Sequence, residues 1–124
     1  MKPLIIDATH DTPSVLFDKY SNRFEIMGVS LPPNIFEFYN PLLGWIHDYC
    51  KNPNDHTHLM LNFEYLNTSS AKMILNLITY LEPAINKGTE VKVLWFYNSG
   101  DPEMKEMGEE FASNCNIPFY MVSE

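Results

Sequence analysis

Residues 56–81 read HTHLMLNFEYLNTSSAKMILNLITYL, and the spacing of apolar residues changes once inside this stretch. From His56 to Leu66 the period is two. Leu59, Leu61, Phe63 and Tyr65 fall on one face, and His58, Met60, Asn62 and Glu64 on the other, as a pleated strand requires. After Asn67-Thr68-Ser69-Ser70 the period becomes helical. Met73, Ile74, Leu77, Ile78 and Leu81 form one stripe, with Lys72, Asn76 and Thr79 outside it, and Lys87-Gly88 is a stop signal. Val91 to Tyr97 is then almost wholly apolar, like a central strand covered on both faces. A strand, a helix and a second strand in this order predict parallel pairing through a right-handed crossover.

Working outward, Ser14 to Asp18 and Phe24 to Ser30 are strand-like, and the polar link Tyr20-Ser21-Asn22-Arg23 reads as a hairpin turn. Pro32 and Pro33 end that ladder, because proline donates no backbone hydrogen bond. Leu4 to Thr12 is a short apolar stretch closed by polar residues and Pro13, and it is assigned to no element. Asn40 before Pro41 matches an N-cap followed by an N1 proline; Leu42, Ile46, Tyr49 and Cys50 then share a helical face, with Trp45 alongside. Downstream, Asp101-Pro102-Glu103 starts a helix with Met104, Met107, Gly108 and Phe111 inward and Glu103, Glu106, Glu109 and Glu110 outward. Ile117 to Val122 is the last strand. The predicted fold is α/β: one domain over residues 1–124, with a mixed sheet of about five strands. An antiparallel hairpin lies at one side of that sheet and about three helices pack on it.

The chain carries eight Lys and Arg against sixteen Asp and Glu, a formal net charge of −8. Such a field repels nucleic-acid phosphates and anionic membranes, so neither is an expected partner. No apolar run reaches membrane-spanning length and the N-terminus has no secretory signal, which points to a cytoplasmic protein without membrane insertion. The only cysteines, Cys50 and Cys115, are far apart and read as free thiols.

Catalytic signatures are scarce. The five glycines are isolated, so no phosphate-cradling loop exists, and no Gly-x-Ser-x-Gly elbow occurs. His56 and His58 share a strand face, but neither a third ligand nor a second shell is signalled, and solvated imidazoles explain them equally. No metal and no cofactor is expected. Asn67-Thr68-Ser69 fits the glycosylation pattern, which has no meaning without a secretory signal. The acidic face after Asp101 is either a solvated exterior or a docking surface for a basic partner.

The hydroxyl run at 67–70 carries two readings. Thr68 or Ser69 accepts a hydrogen bond from a first-turn amide and acts as a simple cap, a contribution of about 1 kcal/mol. The same geometry receives a phosphate, since free amides and the positive helix end favour an anion.

Phe24-Glu25-Ile26-Met27-Gly28-Val29-Ser30 with Pro33-Asn34, then Phe38-Tyr39-Asn40-Pro41 with Trp45 and Tyr49, form one recognisable pattern. Phe63-Glu64-Tyr65-Leu66-Asn67-Thr68-Ser69-Ser70-Ala71-Lys72 is its strongest segment. Val93-Leu94-Trp95-Phe96-Tyr97, Asp101, Glu103-Met104, Glu106 and Gly108 complete it. In this order the segments resemble the SiaC family of biofilm-regulating phosphoproteins, similar in fold to anti-sigma-factor antagonists of the STAS type. The resemblance implies phosphorylation of Thr68 by a partner protein kinase, with Ser69 as second choice, and reversal by a PP2C-like phosphatase. It implies further that the unmodified chain, itself not an enzyme, binds a diguanylate cyclase and promotes cyclic di-GMP synthesis. The expected partner surface is Asn67, Thr68, Ser69, Ser70, Lys72, Asp101, Glu103 and Glu106. The rivals are a constitutive adaptor docking through its acidic helix and a small enzyme with a polar pocket.

Overall fold

The computed structural model describes residues 1–124. The strands are β1 (Leu4–Ile6), β2 (Ser14–Asp18), β3 (Arg23–Ser30), β4 (His56–Leu66), β5 (Glu90–Tyr97) and β6 (Phe119–Ser123). The helices are α1 (Ile35–Tyr49), α2 (Thr68–Leu81) and α3 (Pro102–Ser113), and a 3₁₀ turn, Glu82–Lys87, follows α2. One sheet takes all six strands in chain order. β1, β2 and β3 pair antiparallel, and β3 to β6 pair parallel, each parallel step bridged by a helix. The α/β class, the hairpin and the three helices agree with the sequence reading, and the sixth strand is an addition. β1 is three residues long on the sheet edge, too short for alternation to mark it.

The core lies on one face of the sheet. Val15, Phe17, Phe24, Ile26, Leu59, Leu61, Val93 and Trp95 are buried and follow one another across the register. From α1, Trp45 packs on Phe17 and Phe24, at centroid distances of 5.4 and 6.0 Å. From α3, Phe111 meets Trp95 edge-on at 5.2 Å. The opposite face stays open, with Met27 and Tyr120 exposed.

Four boundaries differ from the sequence reading. α1 starts at Ile35, capped by Asn34, whose side-chain oxygen accepts from the Glu37 amide at 3.1 Å; Asn40 is no cap and Pro41 lies inside the helix. The earlier start wins because Tyr39, four residues before Leu43 and fully buried, extends the apolar face upstream. At the end of β4 the alternation slips. Gly28 pairs with Phe63 but Val29 pairs with Tyr65, so Glu64 is an extra residue in the ladder. That bulge turns Leu66 inward and leaves Tyr65 exposed, where strict alternation placed Tyr65 on the core face. α2 gives way to the 3₁₀ turn at Pro83, whose missing N–H ends the α-helical ladder. Gly88 then takes the left-handed conformation, φ 86°, expected of a stop glycine. Finally, β6 begins at Phe119; the Pro118 carbonyl accepts from the Val93 amide, and buried Ile117 precedes the strand.

Gly108 marks where α3 approaches the sheet most closely. A Cβ there would lie 2.5 Å from Trp95 Cδ1 and 2.6 Å from Nε1. The indole is pinned, since Nε1 donates to the Met104 carbonyl at 3.0 Å. Gly108→Ala is therefore expected to destabilise the fold by about 1–3 kcal/mol despite the better helix propensity of alanine. Urea unfolding measures this; a variant as stable as the parent would show that Trp95 can give way.

Candidate functional site

β4 delivers the chain to the turn at 67–70 at the end of the sheet where all three helices begin. Asn67, not Thr68 or Ser69, is the cap of α2: its side-chain oxygen accepts from the Ser70 amide at 2.9 Å. Thr68 is already the first helical residue, one position too late to cap. Asn67 is held in turn by its own amide, which donates to the Ser30 carbonyl at 3.0 Å. Asn67→Ala is expected to cost about 1 kcal/mol, and Thr68→Ala almost nothing. Comparing their thermal melts checks the assignment; equal losses would return the cap to Thr68.

The hydroxyl residues at 68–70 meet different fates. Thr68 and Ser69 are exposed. Ser70 is fully buried in a network with Ser30 and Tyr39, both also at 0% exposure. Ser70 Oγ donates to the Ser30 carbonyl at 3.0 Å, and Ser30 Oγ donates to Ser70 Oγ at 2.8 Å. Each hydroxyl has one proton, so the Tyr39 O–H must donate to Ser30 Oγ. No buried side-chain polar atom is left without a partner. Burial pushes the Tyr39 phenol above its ordinary range, and the bonds to Ser30 and Ser70 offset part of that. The network ties β3, α1 and the first turn of α2 together, so Thr68 is presented from a rigid base. Of the expected partner surface, Ser70 is thus corrected: a docking protein does not touch its side chain.

Several large apolar side chains are exposed around the turn. Phe36 is 60% exposed, Tyr65 53% and Leu31 40%. A shallow groove of about 260 Å³ runs between α1 and α2, lined by Ile35, Phe36, Ser69, Lys72, Met73 and Asn76. Lys72 is exposed on its wall and is the one charged side chain of α2. Asp101 is partly buried and caps α3, accepting from the Met104 amide at 3.1 Å; Glu103 and Glu106 are exposed on the helix that follows. Because β4 and β5 are parallel neighbours, α2 and α3 start at the same end of the sheet. No hydrogen bond or ion pair joins Asp101, Glu103 or Glu106 to residues 67–72.

Ser30, Tyr39, Phe36 and Tyr65 were not marked as site residues by the sequence. Ser30 and Ser70 are forty positions apart, and nothing local announces their contact. The exposure of Tyr65 depends on the bulge.

The remaining polar groups lie away from the turn. His56 Nδ1 lies 2.7 Å from Glu90, which also pairs with Lys92 at 2.9 Å, at the opposite end of the strands from Thr68. Lys92 and His56 hold the Glu90 carboxyl below the usual range. No three histidine, cysteine or acidic side chains come together as a metal site. Cys50 and Cys115 are free, and burial raises the Cys50 thiol above its ordinary range. A second groove beside α1, lined by Thr12, Pro32, Pro33, Asn34, Glu37 and Phe38, has Glu37 as its only ionisable side chain. No helix is long and apolar enough to cross a membrane.

Comparison with known proteins places this geometry. The sequence model described as SiaC family regulatory phosphoprotein matches residues 6–124. An uncharacterized protein of Pseudomonas aeruginosa strain UCBPP-PA14 is 31% identical over 119 residues, covering 96% of this chain and 94% of its own length. Apo-SiaC from Pseudomonas aeruginosa superposes with a TM-score of 0.89 at 30% identity, covering 98% of this chain and 99% of that one. The crystal structure of the diguanylate cyclase SiaD in complex with its activator SiaC, from the same organism, gives 0.90 at 30% identity and the same coverage.

Proposed function

This chain belongs to the SiaC family of regulatory phosphoproteins, and from that premise we propose that it is a non-enzymatic, phosphorylation-controlled activator of a diguanylate cyclase, acting in the cytoplasm. The unmodified surface around Thr68 docks on the cyclase and raises cyclic di-GMP synthesis. A partner kinase transfers the γ-phosphoryl group of ATP to Thr68 Oγ1, with ADP leaving and the hydroxyl proton released. A PP2C-like phosphatase hydrolyses the ester and restores docking. The observation that carries this reading is the position of Thr68, exposed as the first residue of α2 and free of the capping duty that Asn67 performs. A phosphate there meets unpaired first-turn amides without disturbing the helix.

Incubation with the cognate kinase and ATP, followed by mass-spectrometric mapping, tests the assignment. Phosphate on Thr68 is the expected result, with Ser69 as the second acceptor; phosphate confined to other residues overturns it. The exposed acids of α3, Glu103, Glu106, Glu109 and Glu110, favour a second reading in which the chain is a constitutive adaptor. Charge reversal at Glu106 and Glu109 then weakens docking more than any change at Thr68.

A further inference from the structure

Lys72 stands alone in its surroundings. It is the only charged residue among the fourteen of α2, and α1 contributes no lysine or arginine to the groove the two helices share. Its ammonium has no carboxylate partner: the ion pairs of the chain involve His10, Arg23, Lys51, His56 and Lys92. The other charged side chains near this end of the sheet are chiefly acidic. They include Glu37 on α1, Glu64 on β4, Asp101 and Glu103 at the start of α3 with Lys105 a turn later, Glu124 beyond β6, and Asp11 with its neighbour His10 in the loop before β2.

Lys72 follows Thr68 by four residues, one turn along the same helix face, where side chains start about 5–6 Å apart. An anion four positions before a cation is the favourable order for such a pair. We propose that Lys72 is the internal counter-ion of the Thr68 phosphate, an inference that rests on Thr68 being the modified residue. The ammonium swings from the groove wall to the phosphate oxygens when the ester forms. Modification then does two things to the docking surface: it adds a dianion and it withdraws the only lysine or arginine that α1 and α2 offer a partner. A residue four positions from the modified one thereby becomes part of the regulation.

The test uses the full chain with phosphothreonine installed at position 68 during translation, and follows the second phosphate ionisation, near about pH 6, by phosphorus NMR. Lys72→Gln is expected to raise that pKa by about 0.3 units or more, since the acidic neighbours then act unopposed. Lys72→Arg, which keeps the charge, is expected to restore the parent value. Lys105→Gln, a lysine of α3 exposed one turn after Asp101, controls for bulk charge and is expected to shift the pKa by less than half as much. An unchanged pKa in Lys72→Gln, or an equal shift in Lys105→Gln, overturns the proposal. Because the phosphate is installed without a kinase, a kinase that ignores Thr68 refutes the proposed function and leaves this result interpretable.

Discussion

Phosphate on Thr68 is expected to weaken binding of the chain to the proposed diguanylate cyclase partner at least about 100-fold, a loss of about 3 kcal/mol. Exposed apolar side chains flank the turn, Tyr65 before it on β4 and Phe36 in the groove that Ser69 lines, and they favour a dry contact with a partner. A phosphate adds about −1.5 to −2 charges, and closing an interface over it removes the water that solvates them. With Lys72 as the only lysine or arginine on α1 and α2, the charge is only partly compensated, and a poorly paired charge at an interface costs about 2–5 kcal/mol. Thr68→Ala should bind as the parent does and stay silent to the kinase, because Asn67 and not Thr68 caps the helix. Calorimetry on the two forms decides the matter. Equal affinity for the modified and unmodified protein removes Thr68 as the control point, whatever the kinase does.

The second large effect concerns stability. Ser70→Asp is expected to destabilise the fold by at least about 3 kcal/mol, lowering Tm by roughly 10 °C or more, while Thr68→Asp and Ser69→Asp stay within about 0.5 kcal/mol of the parent or gain slightly. Ser70 is at 0% exposure, packed against Ser30 and Tyr39 with every hydroxyl proton already committed. A carboxylate forced into that space is desolvated and has no cation to meet. At the neighbouring positions the same carboxylate faces water and the positive end of α2. Thermal melts of the three variants separate the cases, and matching Tm values would show that the network opens easily and does not hold the turn. The contrast also bears on the proposed modification, because the Thr68 and Ser69 hydroxyls are exposed on the folded protein, whereas Ser70 is at 0% exposure.

The switch from period two to period 3.6 between Leu66 and Met73 was legible, because each element buries one face and the spacing of apolar residues records which. The stop at Gly88 and the start at Asp101-Pro102 were legible for a similar reason: caps are local chemistry. The start of α1 was misread because a local cap-and-proline pattern at Asn40-Pro41 mimics a helix start inside the helix. The sequence reading took Asn40-Pro41 as the start, and only the structure, with Asn34 as cap and Tyr39 buried against Ser30, moves it upstream. β1 escaped because three edge residues carry no period. At 67–70 the helix start was legible, but the division of labour among its hydroxyl residues was not.

By itself the sequence determined the α/β order, the acidic character of the surface and the hydroxyl-rich entry to a helix after an aromatic strand. These are properties of residues and their near neighbours, written in period, charge and cap chemistry. The tertiary structure alone decided that Asn67 caps, that Ser70 is buried, that Tyr65 faces outward past the bulge, and that Lys72 borders a groove with Phe36. Each depends on contacts between segments far apart in the chain. Ser30 must reach the start of α2, and α1 must lie beside it, before hydroxyls adjacent in sequence become one buried strut and two exposed groups.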